Sequence, residues 1–217
     1  MKLTTSDSTV RFPKERGFAV AVAAVAILVT AGMAHANPEV GVEAPDFTLP
    51  ASDGSEVTLS GLRGRFVVLE WLNHGCPYVK KHYKAGNMQA LQKRYTDKGV
   101  AWYSIVSSAP GKQGHGTADE AASEATDKGS QATAVLLDPN GAVGRRYGAK
   151  TTPHMFVVGP DGKVLYMGAI DDDPSVFFGD PGDATNYVAA ALDAAMAGEA
   201  VGTAATKPYG CSVKYAD

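Results

Sequence analysis

Cys76 lies in the run Asn73-His74-Gly75-Cys76-Pro77-Tyr78-Val79-Lys80, where an apolar stretch (66–72) gives way to a helical pattern. A thiol at that junction sits at a helix N-terminus, where unpaired backbone N–H groups and the helix dipole favour the thiolate. Pro77 falls at the first helical position, where its missing donor costs nothing. The thiolate is the reactive form of cysteine, so the pattern points to redox or nucleophilic chemistry. Lys80, one turn on, adds a positive charge that favours the thiolate further. The opposing expectation is an inert thiol, because free cysteines are commonly buried and apolar burial raises their pKa.

Cys211 is the second of only two cysteines and lies in a Gly-containing tail beyond the last helical pattern. Three roles are open to it. It could resolve a mixed disulfide or sulfenic acid on Cys76, form a permanent structural bond to it, or remain a free thiol. Sequence does not show whether the two sulfurs meet.

The elements that must position these thiols are legible along the chain. The first 36 residues read as a secretory leader, expected to be cut after Ala36. Lys2, Arg11, Lys14 and Arg16 precede an uncharged Ala/Val-rich stretch (17–34), and Ala34-His35-Ala36 matches a small-x-small cleavage site. The alternative is an uncleaved membrane anchor. Export points to the periplasm or another exported location. Removing that leader takes away four basic and two acidic residues, so the formal net charge moves from −3 to −5. No basic stripe remains, so nucleic acid is not an expected partner. The remaining residues suffice to bury a core without disulfide staples.

Short strands are expected at 46–50 and 56–59, joined through Asp53-Gly54. The continuous apolar run 66–72 and the run 100–106 suit strands buried on both faces. A helix is expected over 77–98, interrupted near Gly86-Asn87, with further helices at 117–128, 142–147 and 184–196. A strand at 132–138 and a hairpin over 154–167, turning at Pro160-Asp161-Gly162, complete the set. Strands alternating with helices, then a hairpin and a closing helix, describe an α/β sandwich with a mixed sheet. Trp71 and Trp102 fall in strands and are expected in the core. His82 and His115 are expected at the surface. Asp171-Asp172-Asp173 is expected as a solvated turn, without the spacing of a calcium loop.

Several stretches together resemble the thioredoxin-like redoxin family, in its alkyl-hydroperoxide-reductase/thiol-specific-antioxidant (peroxiredoxin-like) branch. They are Gly41-Val42-Glu43-Ala44-Pro45-Asp46-Phe47-Thr48-Leu49-Pro50, Val57-Thr58-Leu59-Ser60, the strand-to-turn segment ending at Cys76, Thr152-Pro153, and Val164-Leu165-Tyr166 with Gly168. The similarity runs from about residue 40 to about residue 198. It implies a thioredoxin-like three-layer sandwich with a central mixed sheet flanked by helices. The leader (1–36), the redoxin domain (37–198) and a tail (199–217) carrying Cys211 then divide the chain.

The chain departs from the family's patterns around the thiol. Val79 stands where thioredoxins carry a second cysteine, and Leu69 and Asn73 stand where peroxiredoxins carry proline and threonine. Asn73 can still offer a hydrogen bond to a peroxide oxygen or the thiolate. Arg145 and Arg146 are the candidates for the peroxiredoxin arginine. The resemblance implies that Thr152-Pro153 is a cis peptide beside Cys76, leaving the Thr152 backbone free to pair with an extended substrate chain. It also implies that His74 and His154 flank the thiol, as imidazolium partners or neutral bases.

The expected activity is that of an exported thiol–disulfide oxidoreductase. Cys76 is the nucleophile, Cys211 the resolving cysteine, a protein disulfide or hydroperoxide the substrate and a thiol the reductant. No metal or other cofactor is expected. The alternatives are a thiol peroxidase, a copper- or zinc-handling protein using Cys76, His74 and His154, and a non-catalytic module stapled by a Cys76–Cys211 bond.

Overall fold

The computed structural model describes residues 1–3, 37–176 and 184–217. The chain divides into the units Met1–Ala34 and His35–Asp217, and the fold belongs to the second. The leader expected over residues 1–36 falls almost wholly outside the described residues. Among those described, no helix is long and apolar enough to cross a membrane.

Five strands form the central sheet in the order β5 (Ala134–Leu137), β4 (Ala101–Val106), β3 (Val67–Trp71), β7 (His154–Val158), β8 (Val164–Gly168). β3, β4 and β5 run parallel, and the hairpin β7–β8 adds two antiparallel strands at one edge. Every residue of β3 is buried, Glu70 included, as befits a central strand whose other residues are apolar. A short hairpin, β1 (Thr48–Pro50) with β2 (Glu56–Thr58), precedes the sheet.

Alternation along the strands splits the core in two. One cluster, with Leu69, Trp71, Ile105 and Phe156, packs under the β1–β2 hairpin and against Tyr147, at the end of α4 (Ala142–Arg146). The other, with Val68, Leu72, Cys76, Trp102 and Met155, packs under α1 (Pro77–Lys84), α2 (Asn87–Thr96) and α5 (Tyr187–Met196). The result is a three-layer α/β sandwich of thioredoxin-like type. Both tryptophans are fully buried.

Local chemistry accounts for the element ends. Gly86 takes a left-handed φ of 77° and divides α1 from α2, at the interruption the sequence predicts. α3 (Ala118–Asp127) opens with a capping box, in which the Thr117 side chain accepts from the Glu120 N–H and Glu120 accepts from the Thr117 N–H.

The tail departs most from its sequence reading, which found no period in it. Residues 205–217 cross the C-terminal end of the sheet as an ordered strap. Its centre, β9 (Cys211–Ser212), pairs antiparallel with β6 (Thr151–Thr152). No hydrophobic periodicity marks it because none of residues 199–217 is fully buried.

Candidate active site

Cys76 is the N-cap of α1, with Pro77 at the first helical position. The Cys76 N–H bonds the Asn73 carbonyl at 2.9 Å, closing the turn that delivers the sulfur from β3 to the helix. Thr152-Pro153 is cis, and the Cys76 Sγ–H donates to the Thr152 carbonyl at 3.1 Å. The β6–β9 register sets Cys211 directly opposite Thr152, on the same edge. Cys76, 0 % exposed, and the half-buried Cys211 share one apolar cluster. Both are thiols, and their side chains interact.

Gly210 makes this approach possible. Its φ is 137°, and a Cβ there would lie 2.1 Å from the Thr152 carbonyl oxygen. Only a glycine lets the strap lie so close to the cis-proline edge.

The two thiols are electrostatically unequal. Burial alone works against the Cys76 thiolate. The Cys211 side chain, the backbone N–H groups of Val79 and Cys211, and the Thr152 hydroxyl outweigh it and hold the Cys76 thiol below its ordinary value. That hydroxyl is buried without a settled hydrogen-bond partner. Cys211 is pushed up to about 11, by burial first and then by the neighbouring Cys76. Of the two thiols, Cys76 is thus the more readily ionised and Cys211 the one held protonated.

The other sequence candidates occupy different surroundings. Asn73 spends its hydrogen-bonding capacity on the turn: Oδ1 accepts from the Gly75 N–H at 2.8 Å, and Nδ2 donates to the Gln113 carbonyl at 3.1 Å. It shapes the cysteine turn from below. His74 packs edge-on against Tyr83, ring centroids 4.7 Å apart, beside a cleft of about 450 Å³ under α3. Burial, then the Lys128 charge, pushes it down to about 4, so it is neutral. Lys80 is exposed, in a groove with His74, Tyr83 and Asp127.

His154 follows Pro153, but its ring lies on the opposite face of the sheet from Cys76, against Phe156 at 4.6 Å. The strand period turns alternate side chains to opposite faces, so a residue adjacent in sequence need not share a site. His154 is neutral too, pushed down to about 4 by burial and then by Lys150. The expected Cys76–His74–His154 grouping is thus not assembled. Among the described residues no three His, Cys, Asp or Glu side chains are placed to hold a metal ion.

The arginines are committed elsewhere. Arg145 donates to the Asn140 and Ala216 carbonyls and lies over the Tyr215 ring, and Arg146 donates to the Asp46 carbonyl.

Three surface expectations are corrected. The Thr152 edge, expected free for a substrate chain, is occupied by the protein's own strap. His82, expected at the surface, is fully buried, with Nδ1 toward Asn87 and Nε2 3.2 Å from the Tyr209 hydroxyl. Asp171, expected in a solvated turn, is buried and accepts from that same hydroxyl. In each case the strap supplies the cover, and its apposition could not be read from composition.

Sequence reasoning also missed Glu70. It sits in the middle of β3, fully buried, and accepts from Trp102 Nε1 at 2.9 Å, Ser104 Oγ and Gln92 Nε2 at 3.1 Å each, and Tyr83 Oη at 3.3 Å. Burial raises its pKa, with the four donors opposing. A lone acid in an otherwise apolar strand was the available signal.

A nucleophilic thiol at a helix N-terminus, beside a cis-proline in a thioredoxin-like fold, defines a thiol-dependent oxidoreductase. Residues 40–167 match the AhpC/TSA family, and the chain belongs to that family. It is 25% identical over 127 residues to "Thiol-disulfide oxidoreductase ResA" of Bacillus thuringiensis subsp. konkukian, an alignment covering 58% of this chain and 68% of that protein. A hypothetical protein from Sinorhizobium meliloti 1021 is similar in structure, with TM-score 0.71 and 26% identity over 83% of this chain and 97% of that one. An uncharacterized conserved protein from Geobacillus kaustophilus gives 0.68 and 26%, over 82% and 93%.

Proposed function

We propose that this chain is an exported thiol–disulfide oxidoreductase of peroxiredoxin-like build, in which Cys76 attacks and Cys211 resolves. The observation that carries the reading is the pairing of Cys211 opposite Thr152, whose carbonyl is 3.1 Å from the Cys76 sulfur. The local second cysteine is missing, and the strap supplies a distant one in its place. The name of the Bacillus relative supports disulfide exchange, and the basic, apolar, small-x-small order of residues 1–36 supports export. The division into leader (1–36), redoxin domain (37–198) and tail (199–217) belongs to this proposal.

The steps follow from the unequal thiols. The Cys76 thiolate attacks one sulfur of a substrate disulfide; the substrate S–S bond breaks and one substrate thiolate leaves. The Cys76 sulfur, now in a mixed disulfide, no longer carries a charge. One of the two causes that raise Cys211 is thereby removed. Cys211 gives up its proton to the departing thiolate and attacks the Cys76 sulfur, and the second substrate sulfur leaves as a thiolate that takes its proton from solvent. The substrate gains two electrons, and an external thiol reductant restores Cys76 and Cys211.

The same pair favours a second reading as thiol peroxidase. A hydroperoxide would oxidise Cys76 to the sulfenic acid and leave as an alcohol, and Cys211 would then expel water to form the same bond.

A redox titration in glutathione buffers, counting free thiols by mass after alkylation, tests the proposal. The expected result is a reversible two-electron Cys76–Cys211 couple between about −120 and −270 mV. A bond that resists reduction below about −300 mV is a structural staple and overturns it, as do two thiols that never pair.

A further inference from the structure

We infer that residues 209–213 are a captive substrate strand: Gly210-Cys211 occupies the place of a client polypeptide's Gly-Cys segment, and a client reaches Cys76 by displacing it. The inference rests on the reading of Cys76 as the exchanging thiol and names the substrate class of that site.

Two observations carry it. Cys76 is 0 % exposed beneath the strap, so any oxidant needs the strap moved. The strap lies as an added antiparallel strand, Thr152 opposite Cys211 and Thr151 opposite Ser212. That is the geometry in which an extended chain joins an exposed edge. An extended polypeptide can take over those backbone positions and that sulfur one for one. A small disulfide or a hydroperoxide leaves the edge unpaired.

The strap's attachments flank the cysteine. None of its residues is fully buried, and polar contacts to either side of Cys211 tie it down. Toward the N-terminus, the Tyr209 hydroxyl meets Asp171 and His82. Toward the C-terminus, the Val213 N–H bonds the Lys150 carbonyl at 3.1 Å and the Tyr215 hydroxyl bonds the Ala149 carbonyl at 2.8 Å. Tyr209, Cys211 and Val213 also pack against the two core clusters, so lifting the strap uncovers Asp171 and His82, and the incoming chain's own pairing with Thr151–Thr152 has to offset that cost.

The cycle then balances. Cys76 attacks the client's disulfide and one client thiolate leaves. The strap re-pairs with Thr151–Thr152, and Cys211 displaces the client's cysteine as a thiol. Product release and strap return are one event.

Gly210 sets the specificity. A side chain one residue before the strap cysteine would meet the Thr152 carbonyl at 2.1 Å, so the cysteine of a client bound in this way must be preceded by glycine.

The test uses the full chain with Cys211→Ser, which keeps the strap and removes its thiol. The probes are the peptides Tyr-Gly-Cys-Ser-Val and Tyr-Ala-Cys-Ser-Val, each disulfide-linked to 5-thio-2-nitrobenzoate, with the cysteamine adduct as small control. Release of the coloured thiolate reports attack by Cys76. The glycine peptide is expected to react about ten-fold faster than the alanine peptide, a difference of one decade in transition-state affinity. Adding Gly210→Ala, which forces the strap off Thr152, is expected to raise the glycine-peptide rate about ten-fold while the peptide preference persists. Glycine and alanine peptides reacting within two-fold of each other overturn the captive-strand inference and leave Cys76 as the exchanging thiol. No release from any probe in either variant overturns the proposed function together with the inference. The peptide preference in Cys211→Ser alone is sufficient if the double variant does not fold.

Discussion

Two polar centres lie on the face of the sheet covered by α1, α2 and α5, and they are finished differently. At Glu70, four donors from β4, α1 and α2 converge on one carboxylate, and Gln92 also donates to the Tyr83 hydroxyl at 3.0 Å. At Cys76, a thiol meets a backbone carbonyl and a second thiol, and the buried Thr152 hydroxyl has no settled partner. Buried polar groups are ordinarily satisfied, because each unmade bond costs about 1–3 kcal/mol. A saturated centre fixes the sheet–helix contact, and an unsaturated one keeps capacity for a group that arrives or changes charge. The cover differs as well: helices close over Glu70, and a strap of half-buried and exposed residues closes over Cys76.

The contrast can be broken from either side. The largest effect is expected at the unsaturated centre: Cys76→Ser should lower disulfide-exchange activity by at least about a thousand-fold with the unfolding midpoint little changed. A variant that keeps its activity removes Cys76 from the chemistry. Next, Cys211→Ser should cut multiple turnover about a hundred-fold while the first attack survives. Mass spectrometry should then find a mixed disulfide on Cys76, and its absence with turnover intact would strike Cys211 from the resolving role.

At the saturated centre, Glu70→Leu should cost about 3 kcal/mol in urea unfolding, because Trp102, Ser104 and Gln92 lose their acceptor. Glu70→Gln should cost about 1 kcal/mol, since one oxygen remains. Equal, negligible losses would mean the network fixes nothing.

The last effect is spread over pH and comes from two of the three buried histidines, His74 and His154, both held down to about 4. Their contribution to stability is fully present above about pH 6.5, where the unfolded rings are neutral too. Below that the unfolded chain takes up protons first, so stability falls by about 1.4 kcal/mol per pH unit per ring until about pH 4. His154→Phe should remove one ring's share, about 1.4 kcal/mol per pH unit, from the slope of stability measured from pH 7 to 4. An unchanged slope would place the acid sensitivity elsewhere.

Much of this was legible in the chain. The apolar run of β3, interrupted only by Glu70, marked a central strand, Gly86 marked the break between α1 and α2, and Pro77 after Cys76 marked a helix start. These features depend on local backbone preference and on one-dimensional periodicity, which sequence carries directly. Their order implied an α/β sandwich with a mixed sheet, and the resemblance over residues 40–198 implied its thioredoxin-like type.

The surroundings of the thiol did not follow. His154 is one residue from Pro153, and the strand pleat turns it to the other face. Asn73 stands three residues before Cys76, and a loop forty residues away claims its amide. His82 and Asp171 look like surface residues until Tyr209 arrives over them. Sequence by itself determined which segments become strands, the helix start at Cys76 and the family. Only the tertiary structure decided that Cys211 meets Cys76, because a tail with no buried face carries no periodic signal, and its position depends on a backbone approach that one glycine permits.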